Sequence, residues 1–260
     1  MILSDTPYPE IFLAMQKEEE KVNYALNKEE RKAMRSFDRS LGMCGLCYTA
    51  YYTNPTSKNR YLLWYYMPDN SGPMPRYQRG SALLLDAPNG NRKLISTGTY
   101  EMNKGIMKDT YRKENVSGMI EFNGHFLSRY RERAKFPRSL STDDLIATLF
   151  GRCMKYMTRL TMEKMNFRHE QYENGMAWRV ADGISFGSQA EFSLPDGRTF
   201  VLFQHKTFVP EGMLKGEQRD DLILTKFLRS LQIDAMKENS VKAQLRAKGI
   251  IDVGNMASGR

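Results

Sequence analysis

The chain is predicted to be an α+β protein: antiparallel sheets with an N-terminal helical arm, a central helix pair and a C-terminal helix. Three observations predict it. Apolar residues recur at helical spacing near the start, around residue 150 and near the end. Runs rich in Tyr, Trp, Leu and Val lie between them. Asn89-Gly90 and Asp196-Gly197 fall between such runs, where positive φ makes tight hairpins.

The elements follow in order. Residues 8–41 read as helix in two pieces, "PEIFLAMQKEEEKVNYAL" and "NKEERKAMRSFDRSL", with Asn27 placed to cap the second and Glu30 three residues later. Their charged exterior suits an outer bracket. "CYTAYYTN", "RYLLWYYMP", "SALLLDA" and "RKLIST" then read as a four-stranded antiparallel meander over roughly 45–100. Its aromatics (Tyr48, Tyr51, Tyr52, Tyr61, Trp64, Tyr65 and Tyr66) are either a stacking platform for bases or strand packing. A polar connection, 101–119, leads to a short strand "GMIEF" and the helix "GHFLSRYRER". Next comes a longer helix over 141–160, with Ser141 as cap, Asp143 and Asp144 in its first turn, and Leu145, Leu149, Cys153, Met157 and Leu160 on one face. Residues 177–209 read as successive strands, and 215–250 as an amphipathic helix with a basic tail. The units are therefore 1–41, 42–119, 120–214 and 215–260.

At 260 residues a sizeable core is affordable. Lys and Arg number 39 against 30 Asp and Glu, a formal +9 that favours an anionic partner, nucleic acid before acidic membrane. Residues 125–168 hold ten basic and four acidic side chains, so +6 of that charge sits in this stretch. No apolar run is long enough to span a bilayer, and "MILSDTPYPE" lacks the pattern of a secretion signal. With an odd count of three cysteines, a reducing, cytoplasmic setting is expected. Cys44 and Cys47 form a lone C-x2-C without the second pair that zinc requires. No phosphate loop, HExxH or G-x-S-x-G occurs. No metal or cofactor is assigned.

In a helix, the four-residue spacing of His125, Arg129 and Arg133 puts all three on one rim, beside the apolar set Phe126, Leu127 and Tyr130. Two guanidiniums and an imidazole there make a phosphate cradle with a titratable edge. The alternative is that the arginines pair with acids and His125 caps the helix. Arg152, Lys155 and Arg159 would extend a basic, nucleic-acid-binding face.

"HFLSRYRERAKF", followed by "LSTDDLIATLF" and strands ending "RTFVLFQHKTFV", resembles a family of small toxin-like domains of unknown function. These carry a His-x3-Arg-x3-Arg helix and are grouped by shape with the barnase, EndoU, colicin and RelE ribonucleases. The resemblance covers about 120–210 and departs in the longer second helix, the insert at 161–175 and some 120 preceding residues. It implies a site at His125, Arg129 and Arg133, with Arg179 and the 204–208 strand as partners. Metal-free RNA cleavage needs a base, an acid and cations on the phosphate oxygens. His125 and His205, with Arg179, would serve the chemistry, and Arg129, Arg133 and Lys206 the charge. His205, ending an apolar run, points either into a cleft or into the core. His169 reads as a surface loop residue. Two functions stay open: a metal-independent ribonuclease-like domain that cleaves or grips RNA, and a non-catalytic nucleic-acid-binding, mobile-element accessory or protein-interaction protein. RNA is expected before DNA, no membrane is expected, and a protein partner and the oligomeric state are left open.

Overall fold

The structure is a computed structural model that describes residues 1–38, 46–67, 77–86, 92–107, 110–153, 158–160, 175–180 and 183–214. The expected C-terminal helix over 215–250, Cys44 and His169 lie outside the described residues.

Helix α1 (Tyr8–Asp38) is one unbroken helix of 31 residues. Asn27, expected to cap a second helix, sits in its interior. Burial explains the continuity: Ile11, Met15, Val22, Leu26, Ala33 and Phe37 form one stripe that passes straight through that point. The helix is also no outer bracket. Its stripe packs on Tyr61, Leu63, Tyr65, Leu83, Ile95, Met119, Phe200 and Leu202, making a core of its own. Buried polar pins fix it: Asn59 and Tyr61 each donate to the Glu18 carboxylate at 2.8 Å, and the Tyr65 hydroxyl donates to the Leu26 carbonyl.

The strands β1 (Leu46–Thr53), β2 (Arg60–Met67), β3 (Gln78–Asp86), β4 (Arg92–Met107) and β5 (Thr110–Asn123) form an antiparallel meander. After helices α2 (Gly124–Arg133) and α3 (Thr142–Cys153) come β6 (Thr158–Leu160), β7 (Gly175–Val180), β8 (Gly183–Ser193) and β9 (Thr199–Pro210). Separate antiparallel sheets do not form. Strand β9 pairs parallel with β5, so nine strands make one mixed sheet in the order β1-β2-β3-β4-β5-β9-β8-β7-β6. The strands of this one sheet come from both sides of residue 119, which itself falls within β5.

Alternation sorts the sheet into two faces. Leu62, Trp64, Tyr66, Ala82, Leu84, Ile120 and Phe122 face α2 and α3, and their odd or even neighbours face α1. The tyrosines of β2 are therefore packing residues. Of the proposed platform only Tyr51 is exposed, with Arg60 stacked 4.0 Å above its ring and its hydroxyl donating to Asp143.

Two further readings are corrected. Residues 101–107 and 110–119 belong to the β4–β5 ribbon, whose ladder runs from Lys93↔Asn123 to Met107↔Thr110. A ribbon held by backbone hydrogen bonds requires no apolar alternation, and its polar sequence hides it. Of the helix expected over 141–160, Thr142–Cys153 is helical, residues 154–157 lie outside the described residues, and 158–160 instead pair with 177–179 at the sheet edge. Short apolar runs do not separate helix from strand by period, and ladder pairing decided this one. The Asp196-Gly197 hairpin forms as expected, Gly197 taking φ +84. No helix among the described residues is long and apolar enough to cross a membrane.

Candidate nucleic-acid interface

Helix α2 begins where Asn123 accepts the Phe126 N–H on its side-chain oxygen at 2.8 Å. Asn123, and not His125, is the cap. The helix ends in a Schellman motif: Lys135 takes φ +58, Phe136 N–H reaches Arg131 O at 3.1 Å, and Lys135 N–H reaches Glu132 O at 3.3 Å. The Phe136 ring packs 5.2 Å from Tyr130, the apolar contact that goes with this turn.

Phe126, Leu127 and Tyr130 are buried and carry the helix onto β5 and β9. A bulge makes this docking surface. The β8–β9 register shifts between Phe186, which faces Thr207, and Gly187, which faces His205, so β9 carries one extra residue there. The extra residue inverts the alternation. His205 and Phe208 consequently both point at α2, although three positions apart. Tyr130 meets Phe208 edge-on at 5.0 Å, and Phe126 meets His205 at 5.9 Å.

The three ladder residues have different fates. Arg129 is 39% exposed and pairs with Glu132 on its own helix at 3.0 Å. Arg133 turns inward and donates to the Phe208 carbonyl at 2.6 Å. His125 is exposed. Arg131, not singled out by its sequence, donates to the carbonyls of Leu140 and Pro137 and to Thr142 Oγ1, and so locks the elbow between α2 and α3. Lys135 and Arg138 stand exposed on that elbow.

His205 lies in the core at 1% exposure and not in a cleft. Its ring stacks 4.5 Å from Phe122 and lies 4.6 Å from Trp178. Its Nδ1 is 2.6 Å from Ser185 Oγ. Burial among these rings pushes its pKa down to about 3. His125 and His205 are thus not brought together: one faces solvent, the other lies beneath Phe126. Arg179 is placed in β7 opposite Ile184, and Arg152 and Arg159 in α3 and β6, but their side chains and all of Lys155 lie outside the described residues.

Sequence reasoning missed a buried carboxylate. Glu121, 5% exposed on β5, accepts the Tyr8 hydroxyl at 2.7 Å, and Gln204 donates to that hydroxyl at 2.7 Å. Burial, then the Glu121 charge, raises the Tyr8 pKa. The signal was Glu121 standing among Met119, Ile120 and Phe122, the apolar end of β5. Cys47 packs with its Sγ 3.2 Å from Thr148 Oγ1, and burial pushes its thiol up to about 11. Among the described residues no group of three or more His, Cys, Asp or Glu could hold a metal ion.

In comparisons with known proteins, no family model, no curated protein and no solved structure matches the chain. The likeness to toxin-like ribonuclease domains rests on the sequence motif alone.

Proposed function

We propose that the protein binds nucleic acid, RNA in the first place, through the outer face of α2 and the α2–α3 elbow, and that it grips phosphates without cleaving them. The observation that carries this reading is the burial of His205. Cleavage by the expected pair needs two titratable groups at one phosphate, and His205 is sealed and neutral above about pH 3. His125 is left at a surface that suits charge recognition.

The division of the basic residues supports the same reading. Arg131 and Arg133 are spent on the backbone carbonyls of Leu140 and Phe208, which ties α2 to the elbow on one side and to β9 on the other. Arg129, Lys135 and Arg138 then stand outward on a preorganised frame, with Glu132 the acid beside them. Asp143 is occupied by Tyr51. Phosphate contacts of this kind carry little base information, so broad sequence tolerance and strong salt dependence are expected. The test is the salt dependence of binding to a single-stranded RNA for the full chain and for the triple variant Arg129→Glu, Lys135→Glu, Arg138→Glu. Loss of three phosphate contacts should flatten the log–log slope by about 2.

A further inference from the structure

The α2–α3 elbow leads directly to an exposed aromatic ring. Arg131 donates to the carbonyls of Pro137 and Leu140 and to Thr142 Oγ1, which gathers the whole elbow around one guanidinium. The next residue, Asp143, accepts the Tyr51 hydroxyl from β1. Tyr51 faces Leu62 in the β1–β2 ladder, so it stands on the same side of the sheet as α2 and α3. Arg60 faces Thr53, two positions further along that side, and its guanidinium lies 4.0 Å above the Tyr51 ring. Arg138, exposed beside Pro137, and Tyr51, bonded beside Thr142, therefore stand at two ends of one hydrogen-bonded knot.

The two ends differ in charge. Beside Tyr51, Arg92 donates to Asp86 at 2.9 Å. The Arg92 pKa is raised by that bond first and then by Tyr51 and Asp143, which places its charge close to both. Arg60 and Arg92 thus balance Asp86 and Asp143, whereas the elbow sets Arg129, Lys135 and Arg138 against Glu132. A balanced corner gives a phosphate no net attraction. What it offers is a ring. Tyr51 is 44% exposed although its hydroxyl is tied to Asp143 and Arg60 backs one side of it. The other tyrosines of β1 and β2 are all more deeply buried. A ring already held in place loses little freedom when a planar group stacks on it.

We propose that Tyr51, backed by Arg60, is a base-stacking site for an unpaired base of the RNA strand whose phosphates lie on the α2–α3 elbow. This rests on the nucleic-acid reading and adds to it a preference for single strands. A base inside a duplex is already paired and stacked and does not reach the ring.

The experiment titrates the full chain with a short fluorescein-labelled single-stranded RNA and with the same strand annealed to its complement. Tyr51→Ala should weaken single-strand binding by about fivefold or more, the least that one stacked base contributes, and leave the duplex within about twofold of wild type. Its salt slope should match that of wild type, because no phosphate contact is lost. Tyr51→Phe keeps the ring and loses the bond to Asp143, and should bind the single strand within about twofold of wild type. In Tyr51→Trp, the new indole emission should be quenched by the single strand and not by the duplex. Single-strand affinity unchanged in Tyr51→Ala, equal losses on both RNAs, a loss in Tyr51→Phe as large as in Tyr51→Ala, or emission indifferent to the single strand would overturn the stacking site and leave the phosphate grip intact. Wild type binding neither RNA would remove the phosphate grip and the stacking site together.

Discussion

Arg133 on α2 donates to the backbone carbonyl of Phe208 on β9 at 2.6 Å, while Arg129, one turn earlier, pairs with Glu132 at the surface. Two arginines at equivalent sequence spacing thus do different work. Arg133→Ala should cost about 1.5–3 kcal/mol in urea unfolding, the range for hydrogen bonds to charged groups. Arg129→Ala should cost less than about 0.5 kcal/mol, because an exposed pair is screened. The reverse order would make Arg129 the structural member and remove it from the interface.

His205 makes folding acid-sensitive. Its pKa falls from an ordinary 6.5 to about 3 on folding, so between these values the unfolded chain binds the extra proton. Its contribution is fully present above about pH 6.5 and is lost progressively as pH falls toward 3. The slope approaches about 1.4 kcal/mol per pH unit in mid-window. His205→Phe keeps an aromatic ring beside Phe122 and Trp178. Its urea-derived stability should depend on pH less steeply than wild type between pH 6 and 4, by about one proton. Identical slopes would show that His205 stays protonated in the fold.

Lys135 holds a left-handed conformation that glycine adopts without steric cost. Lys135→Gly should be more stable than Lys135→Ala by about 1 kcal/mol. Both remove the same charge and should weaken RNA binding alike. Chemical denaturation with a parallel binding assay checks both halves. Unequal affinities would mean that the turn's shape, not its charge, matters.

Cys47 is held protonated by burial, its pKa near 11 against an ordinary 9.0. At pH 8 its thiolate fraction is about a hundredfold lower than that of an exposed thiol. Iodoacetamide should label Cys47 slowly in the native protein and at the ordinary rate in 8 M urea, followed by mass spectrometry of the peptide containing it. Equal rates would contradict the packing of Cys47 against α3.

The strands and helices were legible wherever burial leaves a period. The stripe of α1, the meander and the Asp196-Gly197 turn all follow from it. The Phe126, Leu127 and Tyr130 face of α2 does too. The misreadings fall where another force decides. The β4–β5 ribbon rests on backbone ladder bonds and carries no apolar alternation to read. The parallel join of β5 to β9 is a long-range pairing, and the bulge at Lys206 turns His205 inward by one register step. Spacing could place Arg129 and Arg133 on one rim of α2. It could not tell that Phe208 on a strand 75 residues away would claim one of them.

The most direct measurement is incubation of the full chain with a labelled single-stranded RNA, reading binding and strand cleavage together for wild type, His125→Ala and the Arg129→Glu, Lys135→Glu, Arg138→Glu variant. Wild type and His125→Ala should both bind, weaken steeply with salt and leave the RNA intact. The triple variant should bind weakly with a flatter slope. Cleavage by wild type that disappears in His125→Ala, or binding unchanged in the triple variant, would contradict a non-catalytic phosphate grip at the α2 elbow.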